Sequence, residues 1–350
     1  MFVLRSLRVS SSRFFASPAS TTPIPKQITR QDFDFVVQPN EKYIEGFMKH
    51  SGDTRMAFKE SDISMWKDSF GDDYKLHMIC LKGTTKVVAT MSSVHFKPID
   101  SANKPAIFLG LGWVDPEYRK TRVIEFINDM VWESVPDKKM NIVSLINQNA
   151  RQFWHLFNKK KEIADKGHDT MASYYISFYE GKDFFVPDNL SFDGITVKKA
   201  TDVPKVDMIR YDQKIHPYHR EKYMISHMHD KEGFGKVAYD KDGKVIGMAQ
   251  AVIYPSGDCN LGPVYGDNPR VVQAMFQEIL KDVEASGKQI TRWIVISAQF
   301  SQEGFQWIAP FLKCEPHRIH YCNFMYGHTA PKNIDFSKLY SPTHAQMCLL

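Results

Sequence analysis

The sequence predicts an α/β protein built from two tandem domains of one fold, each with a mixed, mostly antiparallel sheet flanked by helices. Similar hairpins, strand ends, amphipathic helices and following strands occur in the same order in both halves of the chain. Chance can supply one such match. Four matches in the same order favour an internal duplication.

The matching hairpins are the first of these observations. Residues 86–96 read KVVATMSSVHF, and residues 244–254 read KVIGMAQAVIY. Each segment follows a glycine-containing turn, Lys82-Gly83-Thr84 or Lys241-Asp242-Gly243. Alternating apolar residues after such a turn predict a hairpin with a half-buried second strand.

A strand end followed by an amphipathic helix comes next in each half. Leu111-Gly112-Trp113-Val114 corresponds to Leu261-Gly262-Pro263-Val264. Apolar residues then recur at helical spacing, and they are Val123, Phe126, Ile127, Met130 and Val131 in the first half and Val271, Val272, Met275, Phe276, Ile279 and Leu280 in the second. Further strands are predicted at 141–146 and 291–297, with second helices near 148–158 and 301–312.

Breaks in periodicity divide the chain. Pro and Asp residues in DFFVPDNLSFD interrupt the pattern, which predicts a linker near 183–193. The expected organisation is a leader at 1–31, a first domain at 32–185, a second domain at 190–332 and a tail at 333–350.

Composition excludes two classes of function. The net charge of +5 is carried by the leader, because residues 1–31 contain five cations and the first acid is Asp32. The remaining body is close to neutral, unlike a nucleic-acid-binding surface. No apolar run approaches the ~18 residues that a membrane span needs.

The leader, MFVLRSLRVSSSRFFASPASTTP, is rich in Arg and Ser and has no acidic residue. This composition is typical of a mitochondrial transit peptide, so we expect import into the matrix. Arg13-Phe14-Phe15-Ala16 resembles a matrix-protease site and predicts cleavage after Phe15. The alternative is a disordered basic tail.

The cysteine and histidine patterns predict no metal site. Five cysteines show no zinc-knuckle or redox spacing, so reduced thiols are expected. Four histidines cluster in HPYHREKYMISHMH, but His227 and His229 are two apart and point to different helix faces. We expect this segment to be a surface or substrate-facing helix; its histidines are His216, His219, His227 and His229.

The residues after the first strand end resemble a known family. Val114-Asp115-Pro116-Glu117-Tyr118-Arg119 is similar to the turn that follows the fourth strand of GCN5-related N-acetyltransferases. That family continues with Arg or Gln, two free positions, Gly, one free position, and Gly or Ala. This chain keeps Arg119 but has Arg122 and Ile124 at the two small positions.

Later segments extend the resemblance to residues 33–330. Asn147 and Ala150 match the element after the family's fifth strand, and Phe153 stands where the family has a Leu. Trp154 stands where the family has a Tyr that protonates the departing thiolate. Residues 262–268, GPVYGDN, resemble the second domain of tandem acetyltransferases.

The resemblance implies a site for acetyl-CoA, whose pyrophosphate would meet backbone N–H groups at a helix start. In the first half it implies Trp113, Val114, Arg119, Lys120, Thr121, Arg122, Val123 and Asn147. A rival site in the second half comprises Val264, Tyr265, Gly266 and Asn268. The alternatives are a solvated turn in the first half and a helix-capping turn in the second, with Asp267 or Asn268 at the cap and Pro269 following.

The implied reaction is acetyl transfer from acetyl-CoA to a primary amine of a small molecule or protein. The family often uses a Glu on its fourth or fifth strand as the base, and the matching strands of the first half have none. Asp258, just before the matching strand of the second half, is the only acid nearby, and no catalytic base is assigned. Two other readings are a decayed acyl-CoA-binding or scaffold protein and a glycine-conjugating type of acyltransferase. Monomer and homodimer both stay open.

Overall fold

The thirteen strands of the described chain form one sheet. The computed structural model describes residues 28–52, 58–135, 137, 140–151, 154, 169–298 and 304–344. The strands are β1 (Phe33–Val37), β2 (Tyr74–Leu81), β3 (Val87–Phe96), β4 (Ala106–Val114), β5 (Asn141–Asn147), β6 (Asp169–Glu180), β7 (Thr196–Lys199), β8 (Lys236–Tyr239), β9 (Val245–Ile253), β10 (Asp258–Gly266), β11 (Arg292–Ala298), β12 (Arg318–Tyr326) and β13 (Leu339–Ser341). The helices are α1 (Glu41–Ser51), α2 (Glu60–Phe70), α3 (Val123–Glu133), α4 (Lys205–Ile215), α5 (Glu221–Met228) and α6 (Pro269–Ser286).

The strand order is palindromic and relates two halves, β1–β6 with α1–α3 and β7–β13 with α4–α6. It runs β1-β2-β3-β4-β5-β12-β6-β11-β10-β9-β8-β7, and β13 joins β10. The two halves exchange a strand each. β12 of the second half pairs with β5 of the first, and β6 of the first half pairs with β11 of the second. Two strand pairs in the described sheet are parallel, β4 with β5 and β10 with β11. The predicted fold class is therefore confirmed.

Both predicted hairpins are confirmed. β2 pairs with β3, and β8 pairs with β9, each antiparallel. Their turns require a positive φ, which Gly83 (69°) and Gly243 (76°) adopt. Glycine takes this conformation without the steric cost that a Cβ imposes.

The two faces of the sheet are covered differently. On one face, α1, α2, α4 and α5 pack into a core shared by both halves, in which Phe47, Trp66, Tyr211 and Tyr223 are fully buried. On the other face each half has its own helix, α3 in the first and α6 in the second. A shared core couples the halves as a single folding unit on that face.

Some predicted elements have other outcomes. Helices α3 and α6 are confirmed, whereas 304–311 forms two 3-10 turns, Gly304–Trp307 and Ala309–Phe311. Pro310 lacks the N–H that a continuous helix needs there. Of the region near 148–158, a 3-10 turn at Gln148–Ala150 is described, and most of the remainder lies outside the described residues, as do residues 1–27 with the expected cleavage site. The segment predicted as a tail contributes β13.

Candidate functional site

The first candidate site is a crevice where β4 and β5 part. The two strands run in parallel register from Ala106 opposite Asn141 to Leu109 opposite Ser144, and no pair is formed beyond that rung. Both strands continue, to Val114 and Asn147. Ligands bind preferentially where neighbouring parallel strands diverge, outside their carboxyl ends. We call this gap the first crevice.

A bulge in β4 shapes the wall of the first crevice. The register with β3 shifts between Thr90 and Ser92, so that Leu111 and Gly112 lie opposite one residue of β3. Leu111 has a φ of 47°. Gly112 is exposed, and a Cβ built there meets no atom within 4 Å. At Gly112 the wall of the first crevice therefore consists of backbone that a ligand can approach closely.

The backbone direction of β4 places one N–H group toward the crevice. The N–H of Asp115 donates to the carbonyl of Val88 on β3, at 2.9 Å. Successive residues of a strand direct their polar groups to opposite edges. The N–H and C=O of Val114 therefore face the β5 side, and the carbonyl accepts a hydrogen bond from Nε of Arg119 at 3.1 Å.

The connection from β4 to α3 has free backbone donors. Among the described residues, the N–H groups of Lys120, Arg122 and Ile124 find no acceptor, whereas the N–H of Val123 is held by Thr121 Oγ1 at 3.3 Å. Unpaired N–H groups at the start of a helix, aided by the helix dipole, form an anion site. The expected cradle residues thus lie together at the mouth of the first crevice.

The two missing small residues do not distort this connection. Arg122 has ordinary right-handed dihedrals (φ −74°, ψ 0°), so glycine is not required there. Its side chain is 68% exposed and pairs with Glu125 at 3.3 Å. The positive φ falls on Lys120 instead, at 68°. Ile124 packs against the core beneath α3.

The charge and polarity of the first crevice suit an anion beside an apolar slot. The side chains of Arg119, Lys120 and Arg122 are exposed at its mouth. On the last paired rung the hydroxyl of Ser144 is buried and has no partner among the described residues. A buried hydroxyl without a partner is costly, which favours a bound ligand that supplies one. Asn147 ends β5 at this same edge.

The corresponding gap in the second half is filled. β10 and β11 pair from Asp258 opposite Arg292 to Leu261 opposite Val295 and then part. β13 enters this second crevice, pairing Ser341 with Val264. Ser341 Oγ donates to the carbonyl of Leu261 at 2.9 Å. The chain's own C-terminal segment therefore occupies the position that is open in the first half.

Packing around this segment is tight. A Cβ on Gly262 would lie 2.2 Å from the carbonyl oxygen of Pro342. His227 on α5 is buried, and its Nε2 lies 2.9 Å from the carbonyl oxygen of Gly262. Burial lowers the pKa of His227, so its ring stays neutral and can donate through Nε2.

A buried polar network fixes the same segment. Arg220 forms a bidentate pair with Asp212, with nitrogen–oxygen distances of 2.6 and 3.1 Å. It also donates to the hydroxyl of Tyr265 at 3.1 Å. The Tyr265 hydroxyl lies 2.7 Å from Thr343 Oγ1. Burial raises the pKa of Tyr265 although Arg220 lowers it, so the phenol keeps its proton. Tyr265, a residue of the rival site, thus binds the tail.

The remaining rival residues also have structural partners, and Asn268 forms the helix-capping turn that was the alternative. Asn268 is the N-cap of α6, its Oδ1 accepts from the N–H of Val271 at 3.1 Å, and Pro269 follows. Val264 is buried against β13. A Cβ on Gly266 would lie 2.6 Å from Val272. These residues have structural partners where a ligand would need free groups.

Two other groups considered from the sequence have structural partners. Asp258 lies at the start of β10, away from the crevice, and forms a bidentate pair with Arg292 at 2.7 and 2.9 Å. This pairing argues against Asp258 as the base. The four histidines of the cluster bond to different groups: His227 to Gly262, His229 to the carbonyl of Ala200, and His219 to Glu221, while His216 is buried against aromatic rings.

An open, mostly antiparallel sheet with a diverging parallel pair and a helix start at the gap defines the fold of the GCN5-related N-acetyltransferases. Solved structures agree. A Pyrococcus horikoshii protein assigned to the acetyltransferases superposes with a TM-score of 0.59 at 14% identity, covering 93% of this chain and 99% of that one. A tandem protein of this family from the clavulanic acid pathway gives 0.56 at 11% identity, over 86% and 99%. N-myristoyltransferase of Saccharomyces cerevisiae, solved with myristoyl-CoA and inhibitors, gives 0.57 at 14%, over 95% and 88%.

The family model described as "Protein of unknown function (DUF1248)" matches residues 30–215, more than half of the 350 residues. The chain therefore belongs to that family. No curated protein matches the sequence. In the described part of the chain, no helix is both long and apolar enough to span a membrane.

Proposed function

We propose that the protein transfers an acetyl group from acetyl-CoA to a primary amine, and that the first crevice is its single acyl-CoA site. The contrast between the crevices carries this proposal. One crevice offers exposed cations, free N–H groups and an accessible backbone wall, while the other is filled by residues 339–344. The expected stoichiometry is one acyl-CoA for each chain.

The backbone supplies the two electrostatic contributions that acyl transfer needs. Free N–H groups of Lys120, Arg122 and Ile124 would hold the pyrophosphate at the start of α3. The N–H of Val114, on the crevice edge of β4, is suited to stabilise negative charge on the thioester oxygen as the amine attacks. The amine nitrogen forms the new amide bond as the carbon–sulfur bond breaks. The proton that the amine loses reaches the departing thiolate through water. Arg119 would orient the Val114 peptide through its carbonyl.

A short acyl group fits the aromatic packing beside the crevice. Trp113 lies on the part of β4 that is no longer paired with β5, and its side chain is buried against Phe47 of α1, with ring centroids 5.3 Å apart. Phe58 stacks on Phe47 at 5.6 Å. A long or bulky acyl chain on this face would have to displace three packed rings. This packing supports acetyl-CoA over the substrates of a glycine-conjugating enzyme.

One observation favours a non-catalytic acyl-CoA-binding protein as the second candidate. Trp154 stands where the family's Tyr acid would be, and its side chain packs with Leu109 and Ile142 beside the first crevice. An indole cannot protonate a thiolate. Water can protonate the departing thiolate instead, so the loss of the Tyr does not by itself exclude catalysis.

The experiment is calorimetric titration of acetyl-CoA into the full chain and into the Arg119→Glu/Arg122→Glu double variant. We expect one site in the wild type and at least a tenfold weaker affinity in the variant, since two attractive charges become repulsive near the phosphates. Arg270→Glu is the matched control, because Arg270 lies in the first turn of α6, beside the filled crevice.

Three results would contradict the proposal: no binding by the wild type, two sites per chain, or equal affinities in the wild type and the double variant. If acetyl-CoA binds, release of free CoA thiol with a panel of primary amines separates the two candidates. Thiol release that depends on an amine supports the transferase. Binding without release for any amine supports the non-catalytic protein.

We also propose that the protein acts in the mitochondrial matrix, on the composition of its leader. Residues 1–27 contain four of the leader's cations and no acid. N-terminal sequencing of protein recovered from mitochondria should begin at or near Ala16. Recovery of a cytosolic form that keeps Met1 would rule out this location.

A further inference from the structure

A cluster of three different ligand types lies outside both crevices, at the point where the halves exchange strands. Asp183, Cys314 and His317 each offer one ligand atom, and the three atoms lie within 4.8 Å of one another. His317 Nε2 is 2.7 Å from Asp183 Oδ2. The cluster is independent of the acyl-CoA site.

The backbone around this cluster is well fixed. Asp183 is buried, and its Oδ2 accepts from the N–H of Glu180 at 2.6 Å. Its own carbonyl accepts from the N–H of Lys313 at 2.8 Å, and the N–H of His317 donates to the carbonyl of Phe178 at 3.0 Å. The segment after β6 and the turn before β12 are therefore held side by side, which places the three groups together before any ion binds.

The electrostatic surroundings favour a cation. The carboxylates of Asp183, Glu180 and Glu315 all interact electrostatically with the Cys314 thiol, so the cluster has acidic neighbours. A bound divalent ion would stabilise the thiolate there. Sulfur, imidazole nitrogen and carboxylate oxygen together form a set that zinc accepts.

We propose that Asp183, Cys314 and His317 bind one zinc ion, with the fourth position open to water. In a tetrahedral site the ligand atoms stand roughly 3.5 Å apart, so the cluster needs only small side-chain movements. The thiol loses its proton to solvent on binding, and His317 binds through neutral Nε2. The ion would join the end of the exchanged strand β6 to the start of the exchanged strand β12.

Sequence spacing alone hides this site. Cys314 and His317 form a short C-x-x-H pair in the turn before β12, but Asp183 lies 134 residues before His317. Only the strand exchange brings the first half's carboxylate to the second half's turn. An ion here would therefore depend on the folded, exchanged arrangement.

The test uses Co²⁺ as a spectroscopic probe for the full chain, because a cobalt–thiolate bond gives an intense near-ultraviolet band. We expect one equivalent of Co²⁺ to produce the band, and added Zn²⁺ to displace the cobalt ion and remove the band. Cys314→Ser should abolish the band, whereas His317→Gln and Asp183→Asn should weaken cobalt binding at least tenfold. Cys348→Ser and His219→Gln are the matched thiol and imidazole controls and should behave like the wild type.

A second measurement separates a site from a hydrogen-bonded surface cluster. Zn²⁺ should raise the Tm of the wild type and leave that of Cys314→Ser unchanged, because only a ligand of the folded state stabilises it. Absence of the cobalt band in the wild type, or an equal band in Cys314→Ser, overturns the proposal. Cys314→Ser and His317→Gln change exposed side chains, so these two variants should fold.

Discussion

The two crevices of this sheet lie at corresponding positions in the two halves and differ in what lies between their strands. In each half a parallel pair separates, and a bulged strand forms one wall. Between β10 and β11 the wall is covered by residues 339–344, whereas Gly112 on β4 has open space above it. A repeated architecture can therefore be kept while one of its two crevices is filled by part of the chain itself.

Charge follows the same division. The mouth of the first crevice has three exposed cations, Arg119, Lys120 and Arg122. At the second, Asp267 accepts from the hydroxyl of Tyr211 at 3.0 Å and pairs with Lys338 at 3.1 Å. An anion is attracted to the first mouth and finds a neutralised turn at the second. The substitutions below test how firmly each crevice is committed to its state.

The largest effect is expected where the filled crevice depends on a buried ion pair. Asp212→Asn leaves the guanidinium of Arg220, which is 0% exposed, without its counter-charge. Breaking such a pair costs about 3–5 kcal/mol of the free energy of unfolding. Denaturant unfolding should show this loss. Protease cleavage in the tail should also increase, since Arg220 and Tyr265 hold Thr343.

Glu278→Gln is the control for Asp212→Asn. Glu278 forms an exposed pair with Lys281 at 2.7 Å, and surface pairs contribute about 0–1 kcal/mol. If both variants lose the same stability, the buried network does not hold the tail in the way the geometry indicates.

A matched pair of glycine substitutions compares the crevices directly. In Gly262→Ala the new Cβ would lie 2.2 Å from backbone of the tail, so we expect a loss of about 1–3 kcal/mol from overpacking. Gly112→Ala meets open space and should leave the free energy of unfolding almost unchanged. Unfolding curves for the two variants provide the measurement. Equal losses would mean that the first crevice is as tightly packed as the second.

Sequence patterns predicted the parts of the fold that depend on local chemistry. The hairpin glycines, the periodicity of α3 and α6, and the cap at Asn268 with Pro269 are all visible within a few residues. The resemblance at residues 114–119 identified the connection that the structure places at the first crevice. These features follow from short-range sterics and hydrogen bonds, which a local window contains.

Long-range features were beyond such reasoning. The pairing of β12 with β5 and of β6 with β11 depends on which edges meet in three dimensions. The tail was expected to be only a tail, because a three-residue strand, Leu339–Ser341, has too few residues to show periodicity. The family pattern has a glycine where this chain has Arg122, whereas the positive φ falls on Lys120, since dihedral angles are set by the whole turn.

Buried histidines should make the stability of both halves sensitive to acid. Burial lowers the pKa of His77, on β2, to about 4 and that of His344, in the tail, to about 3. Below a pH of about 6.5 the unfolded chain binds protons that the folded chain does not, so stability is full above that pH and falls as pH decreases. Each histidine should cost about 1.4 kcal/mol at pH 5.5.

Unfolding free energies at pH 7.5 and 5.5 measure this effect in His77→Gln and His344→Gln. Each substitution should reduce the difference between the two pH values. A reduction in His77→Gln alone would show that the tail opens to solvent before the protein unfolds, so that the second crevice is only loosely filled.

The smallest effect concerns the backbone of the cradle. Lys120 holds a φ of 68°, a conformation that costs a non-glycine residue about 1 kcal/mol. Lys120→Gly removes this strain but adds freedom to the unfolded chain, so the net change should lie between zero and about 1 kcal/mol of stabilisation. Arg122→Gly gains nothing, because Arg122 is already unstrained. If glycine stabilises position 122 and not 120, the backbone strain of the cradle does not lie at Lys120.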